Sequence, residues 1–423
     1  MRDTQLYARI LGIERPWRVV DVQLDLGDAD RNSLEGGEVH VHVEHGGGKL
    51  TCPECGEPSP GYDRRERRWR HLDTCQHATI LVAQVPRVQC AEHGVKQVSV
   101  PWAEPNSRFT ALFEALVIDW LKAASISAVA QRLKLSWDEA DTILQRAVDR
   151  GLARRELEPP EHLAVDEVSS RRGHKYLTVA SDRESGHVLH VAEDRKRSSL
   201  DGFYRELGED CVKIESVTMD MWPAYINSTE AHVPGASEKI AFDKFHVAQH
   251  LGEAVDKVRR GEHKALQAKG DQRLKGTRYW WLRQPQTVRI EDWYGPFAVL
   301  RKSKLKTARA WALKETAMTL WGYVSRTWAR KGWLRWYGWA IRSRLEPVKH
   351  VARMIKKHLA GIVNAVVLDA TNAMAESING RIQRVKRMAC GFRNPQRFRR
   401  AIYFHLGGLA LHPATAESTH TRS

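Results

Sequence analysis

The chain lacks any apolar run approaching the roughly 20 residues that span a bilayer. Its start, Met1 to Ile10, lacks the charged-then-apolar pattern of a signal peptide. Both absences lead to the expectation of a soluble, intracellular protein with no membrane partner. Cysteine is scarce: six in 423 residues are too few for a disulfide scaffold, so a Cys-x-x-Cys pair reads as a metal site or a redox pair. Acid is also short, since 51 Asp and Glu face 67 Lys and Arg for a formal net charge of +16. That balance favours a polyanionic partner, a nucleic acid first. Tryptophan, at 15 residues, is plentiful, and the length allows two or three domains with sizeable cores.

From Trp17 to Leu26 and from Glu38 to Glu44 apolar and polar residues alternate, which predicts half-buried strands joined by a Gly/Asp-rich turn. His40 and His42 fall opposite Val39, Val41 and Val43 and read as solvent-facing. Cys52-Pro-Glu-Cys55-Gly56 and Cys90-Ala-Glu-His93-Gly94 flank a strand-like run, Ala78 to Val88. Two turn-borne ligand pairs suit a tetrahedral zinc ion, so Cys52, Cys55, Cys90 and His93 are expected to be structural zinc ligands; two unligated turns are the alternative. Cys75 and His77 lack a partner at turn spacing. Arg64, Arg65, Arg67, Arg68 and Arg70, with Trp69, form a basic run suited to phosphate contacts, or else a solvated hairpin tip.

Helical spacing of Leu112, Phe113, Leu116, Val117 and Trp120 predicts a helix over Phe109 to Lys122. A shorter one follows, with Ser127 as cap and Val129, Ala130 and Leu133 inward. After the turn Lys134-Leu135-Ser136, the capping box Ser136-Trp-Asp-Glu139 starts a third helix that buries Ala140, Ile143, Leu144 and Ala147. This is a helix-turn-helix layout. Its recognition helix opens on Asp138, Glu139 and Asp141, and its cations, Arg146 and Arg150, come later; a three-helix spacer is the alternative.

After Pro159-Pro160 an α/β pattern begins, with strands over Leu163 to Val168, Tyr176 to Ala180, His187 to Ala192, Ile214 to Met219 and around Lys239 to Phe242. Turns fall at Arg171-Arg172-Gly173 and Ser185-Gly186. Three hairpin-joined strands followed by helix-joined strands predict a mixed sheet of the ribonuclease H type, with the first and fourth strands adjacent. Asp166 and Asp220 would then meet at strand ends. Paired carboxylates repel unless cations intervene, which suits hard divalent ions. Glu376 opens a helix starting near Asn372, where a carboxylate is also favoured simply by the helix dipole. That helix carries Arg381, Arg384, Lys386 and Arg387, candidate phosphate contacts. Gly391 is expected to end it, and Asn394-Pro395 to cap a last helix.

The segments Asp220-Met-Trp-Pro-Ala-Tyr225, Phe242-Asp243-Lys-Phe-His246-Val247, Asn372-Ala-Met-Ala-Glu376-Ser-Ile-Asn379 and Lys386-Arg-Met-Ala-Cys-Gly-Phe392-Arg-Asn-Pro-Gln-Arg-Phe398 resemble bacterial insertion-sequence transposases. Within those the chain is most similar to the ISL-three family, over nearly its whole length. The resemblance implies a DDE transposase with Asp166, Asp220 and Glu376 as catalytic and metal-binding triad. Asp243, His246 and Trp222 would support the site, and Arg64, Arg65, Arg67, Arg68, Arg146, Arg381, Arg384, Lys386 and Arg387 would contact DNA. It further implies Mg²⁺ or Mn²⁺ in catalysis beside structural Zn²⁺, and double-stranded DNA partners, namely terminal inverted repeats and target DNA. A homo-oligomeric synaptic complex and a cytoplasmic, nucleoid-associated place in a bacterium follow. A DNA-binding regulator with an inactive nuclease-like domain is the alternative, and a structure-selective nuclease a third reading.

The expected architecture is mixed α/β. A β-rich zinc-binding region covers 1–100 and a helix-turn-helix 101–158. A ribonuclease H-like DDE domain covers 159–249 and 358–411, interrupted by a helical Trp-rich insertion, 250–357, and followed by a disordered tail, 412–423. In the insertion, Trp311, Trp321 and Trp328 recur at helix-compatible intervals, so most of its rings are expected in a core. Some near Lys331 to Arg344 could instead stack on bases.

Overall fold

A computed structural model describes residues 2–26, 37–171, 175–368 and 373–414. The expected turn within 27–36, Arg172-Gly173, the helix start at Asn372 and the tail from 415 lie outside them. The chain divides into two units, Met1–Arg155 with Leu409–Ser423, and Glu156–Gly408. Among the described residues no helix is long and apolar enough to cross a membrane.

In the first unit α1 (Asp3–Ile10) precedes β1 (Trp17–Asp25), β2 (Glu38–His45), β3 (Gly61–Thr74), β4 (His77–Cys90) and β5 (Gly94–Gln97), in the sheet order β1-β2-β4-β3 with β5 also on β4. Alternation decides which face is buried: Val39, Val41 and Val43 are core while His40 and His42 are half-exposed. Cys75 and Gln76 both have positive φ, 51° and 71°, which gives the β3–β4 hairpin the twist its strands require. Trp69 departs from the expected DNA-facing run. It is 2% exposed and stands edge-to-face with Trp102, which in turn packs against Trp17. A ring of that area is worth more in the core than beside a phosphate.

Three helices follow, α2 (Ala111–Ala123), α3 (Ile126–Leu133) and α4 (Trp137–Arg154). The α4 capping box forms as expected, Ser136 accepting from the Glu139 N–H and Glu139 from the Ser136 N–H. Lys134 takes the left-handed conformation, φ 54°, that ends α3. The α3 cap is Ser125 rather than Ser127, with its Oγ accepting from the Ala128 N–H at 3.3 Å. Trp120, one of the helically spaced apolar residues, is 42% exposed. His412, expected to open the tail, is held by Asp119 at 3.0 Å, and its carbonyl accepts from Arg154.

The second unit is built on β6 (His162–Arg171), β7 (Lys175–Asp182), β8 (Val188–Glu193), α5 (Arg197–Leu207), β9 (Ser216–Met219), α6 (Pro223–His232), α7 (Ala236–Lys239), β10 (Ile240–Phe242) and α8 (Lys244–Gln267). The sheet order is β10-β9-β6-β7-β8, with β6, β9 and β10 parallel, so the first and fourth strands are neighbours as expected. Seven helices follow α8: α9 (Arg278–Leu282), α10 (Ile290–Tyr294), α11 (Pro296–Lys302), α12 (Lys306–Thr319), α13 (Arg326–Ile341), α14 (Glu346–Lys357) and α15 (Leu359–Val367). The chain then returns through α16 (Ala373–Met388) and α17 (Pro395–Leu406).

Most tryptophans between 250 and 357 are core, as expected. Trp281, Trp333 and Trp336 are buried, and Trp280, Trp293, Trp311 and Trp321 pack against them from half-buried positions. The periodic reading of Trp311, Trp321 and Trp328 does not hold: they fall on α12, a 3₁₀ turn and α13, and Trp328 is 60% exposed. Their spacing matches a helix only if the chain does not break, and it breaks twice between them.

Candidate active site and zinc centre

Asp166 does not end its strand. β6 runs on to Arg171, but its pairing with β9 stops at Ala164, so Asp166 lies just beyond its parallel neighbour's reach. The carboxylate is held at both oxygens: Oδ1 accepts from the Glu167 N–H at 2.7 Å and Oδ2 from Asn379 Nδ2 at 2.6 Å. Burial, with Asp220 as a repelling neighbour, pushes its carboxyl up to about 6. Two neighbouring carboxylates form a hard oxygen donor set whose mutual repulsion a divalent cation relieves.

Asp220 follows β9 directly and lies 2.5 Å from His246 Nε2, in the first turn of α8. The imidazole is held above its ordinary pKa, chiefly by that bond, with further charge from Asp220, Asp243 and Asp166. Asp243, 6% exposed, caps α8 by accepting from the Phe245 N–H at 2.9 Å, and stands 3.7 Å from His246. The middle of β6, the end of β9 and the start of α8 thus deliver Asp166, Asp220, Asp243 and His246 to one place.

Glu376 arrives differently. It lies in the first turn of α16, exposed, three residues before Asn379. That spacing puts both on one helix face, and Asn379 touches Asp166. Its carboxylate does not close on the two aspartates. Among the described residues, the groups of three or more metal-type ligands with atoms all within 4.8 Å are Cys52, Cys55, Cys90 and His93, and a set of exposed Glu161 and Glu184 with half-buried His162.

Trp222 is 37% exposed and donates from Nε1 to the Arg195 carbonyl at 2.9 Å. The Arg195 guanidinium lies 4.5 Å from the Trp222 ring and 4.6 Å from that of Tyr176, and reaches Glu167 at 3.1 Å. Glu167 therefore fixes the arginine under Trp222. Of the α16 cations, Arg381, Arg384 and Arg387 are exposed, while Lys386 is tied by Nζ to the Ser169 carbonyl at 2.7 Å.

At the zinc centre Cys52 Sγ and Cys90 Sγ lie 3.8 and 3.6 Å from His93 Nδ1, and Cys55 Sγ lies 3.8 Å from Cys90 Sγ. A tetrahedron with Zn–S bonds of about 2.3 Å has S···S edges of about 3.8 Å, so the four residues fit the ion. Backbone and ring donors of His93, joined by the Glu92 N–H, hold the Cys90 thiol down to about 6, towards the thiolate that binds metal. The other ring nitrogen of His93 faces Glu54 at 3.6 Å, and Lys96 holds Glu54 at 2.5 Å, the outer support typical of a ligating histidine.

On the neighbouring strand Arg64, Arg65 and Arg68 are exposed and Arg67 half-buried against Gln97. Arg146 differs from its expected place on a DNA-facing surface. Its guanidinium turns to Glu104 at 3.3 Å and Glu114 at 3.4 Å, beside Arg150, which binds the same two acids at 2.6 and 2.8 Å.

Residues 163–402 match the model of a transposase family, ISL3, whose name carries the DDE label. The chain belongs to the ISL3 family of transposases. Its helix-turn-helix domain matches at 98–148, and the zinc-finger of transposases of the IS204, IS1001, IS1096 and IS1165 elements at 49–93. Similar curated proteins include the transposase for insertion sequence element IS1557 of Mycobacterium tuberculosis, 28% identical over 94% of each chain. The transposase for IS1001 of Bordetella parapertussis is 26% identical, over 87% of this chain and 90% of its own. This ISL3 transposase therefore binds DNA and carries out metal-dependent strand cleavage and strand transfer.

Sequence reasoning missed two residues that the site uses, Asn379 and Arg195. The signal for Asn379 is its position three residues after Glu376, on the same helix face. Nothing in the local sequence marks Arg195, because its three partners come from β6, β7 and the start of α6.

Proposed function

We propose that Asp166, Asp220 and Glu376 are the catalytic triad of this transposase, acting on the terminal inverted repeats of its element. The observation that carries the assignment is the 2.6 Å bond from Asn379 to Asp166, which seats the Glu376 face of α16 against the carboxylate that shares its site with Asp220. Divalent cations, Mg²⁺ or Mn²⁺, when bound by these acids, supply Lewis-acid activation of water or of a 3′-hydroxyl and offset charge on the leaving oxygen. The chain's own residues do the placing. Asn379 and the Glu167 N–H fix the Asp166 oxygens, while His246 fixes one Asp220 oxygen and Asp243 anchors the helix start that carries it.

The zinc region, 1–100, and the helix-turn-helix, 101–158, would hold the repeat. The catalytic domain, 159–249 with 358–411, would cut it, and the insertion, 250–357, would lie against DNA. Arg64, Arg65, Arg67, Arg68, Arg381, Arg384 and Arg387 are the proposed phosphate contacts, and two ends cut together call for a homo-oligomer. Asp166→Asn is expected to abolish Mg²⁺-dependent cleavage of element-end DNA while repeat binding persists; wild-type-like cleavage by that variant overturns the assignment. The exposed, unconverged Glu376 favours one second reading, a DNA-binding regulator. Wild-type protein that shifts repeat DNA but never nicks it with either metal selects that reading.

A further inference from the structure

Helix α13 carries two sets of tryptophans. Trp333 and Trp336, with Ala329 and Ala340, are buried, and Trp336 donates from its indole to the Leu313 carbonyl at 2.8 Å. Trp328 and Trp339 are 60% and 40% exposed. Between and beyond them stand Lys331, Arg335 and Arg342, all exposed. The intervals 328, 331, 335, 339 and 342 step by three and four, so at 3.6 residues per turn the five lie within an arc of about 80°. The stripe faces away from the buried alanines. From Arg326 to Leu345 the sequence has no Asp or Glu, and Lys331, Arg335 and Arg342 make no ion pair among the described residues. Lys331 Nζ lies 5.2 Å over the Trp328 ring.

A core does not need these two rings, and an ordinary solvated face would not alternate rings with uncompensated cations. We infer that the outer face of α13 is a binding surface for unpaired DNA, with bases stacking on Trp328 and Trp339 and phosphates on Lys331, Arg335 and Arg342. The combination of a cationic track with ring platforms is what single strands recognise. Trp328 and Trp339 are 11 residues apart, about 16 Å along the axis, or about five base steps at the 3.4 Å spacing of one strand. A duplex fits less well, because its bases keep their faces stacked inside. An anionic membrane also fits less well: an interfacial helix needs a free apolar face, and that of α13 is already buried. The inference stands on α13 alone and does not depend on which acids cut DNA.

The test uses the full-length chain and a fluorescein-labelled 12-mer of thymidine, read by anisotropy, beside a duplex of unrelated sequence and phosphatidylserine vesicles. W328A/W339A is expected to weaken single-strand binding by about tenfold per ring, with duplex binding changed less than twofold. W328F/W339F should restore most of the affinity. K331A/R335A/R342A should lower the salt slope for the 12-mer by about 2, since each single-strand phosphate contact contributes about 0.7. Thermal unfolding of each variant, expected to stay close to that of the wild type, checks that it folds. Unchanged 12-mer binding by W328A/W339A overturns the proposal, as does an equal loss for duplex or a loss confined to vesicles. The readout is binding without Mg²⁺ or Mn²⁺, so a failed cleavage assignment leaves this result readable.

Discussion

Glu114→Gln probes what holds the recognition helix of the first unit. Glu114 is 1% exposed and receives Ser107 Oγ at 2.7 Å, with Arg150 at 2.8 Å and Arg146 at 3.4 Å. With Glu104 the set is two carboxylates and two guanidiniums, and the Arg150 side chain is only 8% exposed. Neutralising Glu114 leaves both arginines one anion. Removing one partner of a buried pair costs about 3–5 kcal/mol, and glutamine keeps one acceptor, so we expect a cost near the lower end, about 3 kcal/mol. That corresponds to a roughly 150-fold larger opening constant for α2 and α4. Hydrogen exchange of α4 peptides reads it directly. Glu114→Gln combined with Arg150→Met should recover at least half of the lost protection, because the pair then leaves together. If Glu114→Gln changes α4 exchange by less than about twofold, the network does not hold the helix. Arg146→Ala should likewise loosen α4 while leaving the salt slope of repeat binding unchanged; a slope smaller by about 0.9 would show that it contacts phosphate after all.

Two further outcomes follow from the first unit. Purified protein should carry one zinc per chain, and Cys90→Ser should lose it and expose the β4–β5 turn to protease, whereas a full zinc complement in that variant would exclude Cys90 as a ligand. His71 is 7% exposed, bonded to Thr110 at 2.9 Å, and held by burial, with Arg70 adding to it, down to about 4 from 6.5. The unfolded chain then takes the proton first, so stability is unaffected above pH 6.5 and falls between pH 6.5 and 4, by roughly 3 kcal/mol in all. Unfolding midpoints of wild type and His71→Asn from pH 7 to 4.5 should diverge in that window, and parallel curves would refute the linkage.

Much of this was legible because it depends on local spacing. Cys52, Cys55, Cys90 and His93 announce themselves by two-residue gaps, the Ser136–Glu139 box by its offset, and the Asp166–Asp220 neighbourhood by strand order. What stayed hidden depends on contacts that local spacing does not encode. Trp69 looks the same beside arginines whether it faces DNA or a core, and only the arrival of Trp102 decides. Arg146 reads as a phosphate contact until Glu104 and Glu114, 42 and 32 positions earlier, are seen to claim it. Trp328 and Trp333 differ by five residues, and which one is buried depends on where α13 meets its neighbours. At the acids, Glu376 was found by motif, while its distance from the two aspartates is a matter of how α16 is carried.

The length of α8 has a mechanical consequence. Its first turn holds His246 on Asp220, and its later residues, Val255 and Val258, sit in one core with Trp281 and Trp333. Twenty-four residues make a rod of about 36 Å, so a pivot of about 2° at one end moves the other by about 1 Å. One unbroken helix therefore ties the placing of His246 at Asp220 to the packing of Val255 and Val258, and its stiffness, rather than proximity, sets how its two ends move together.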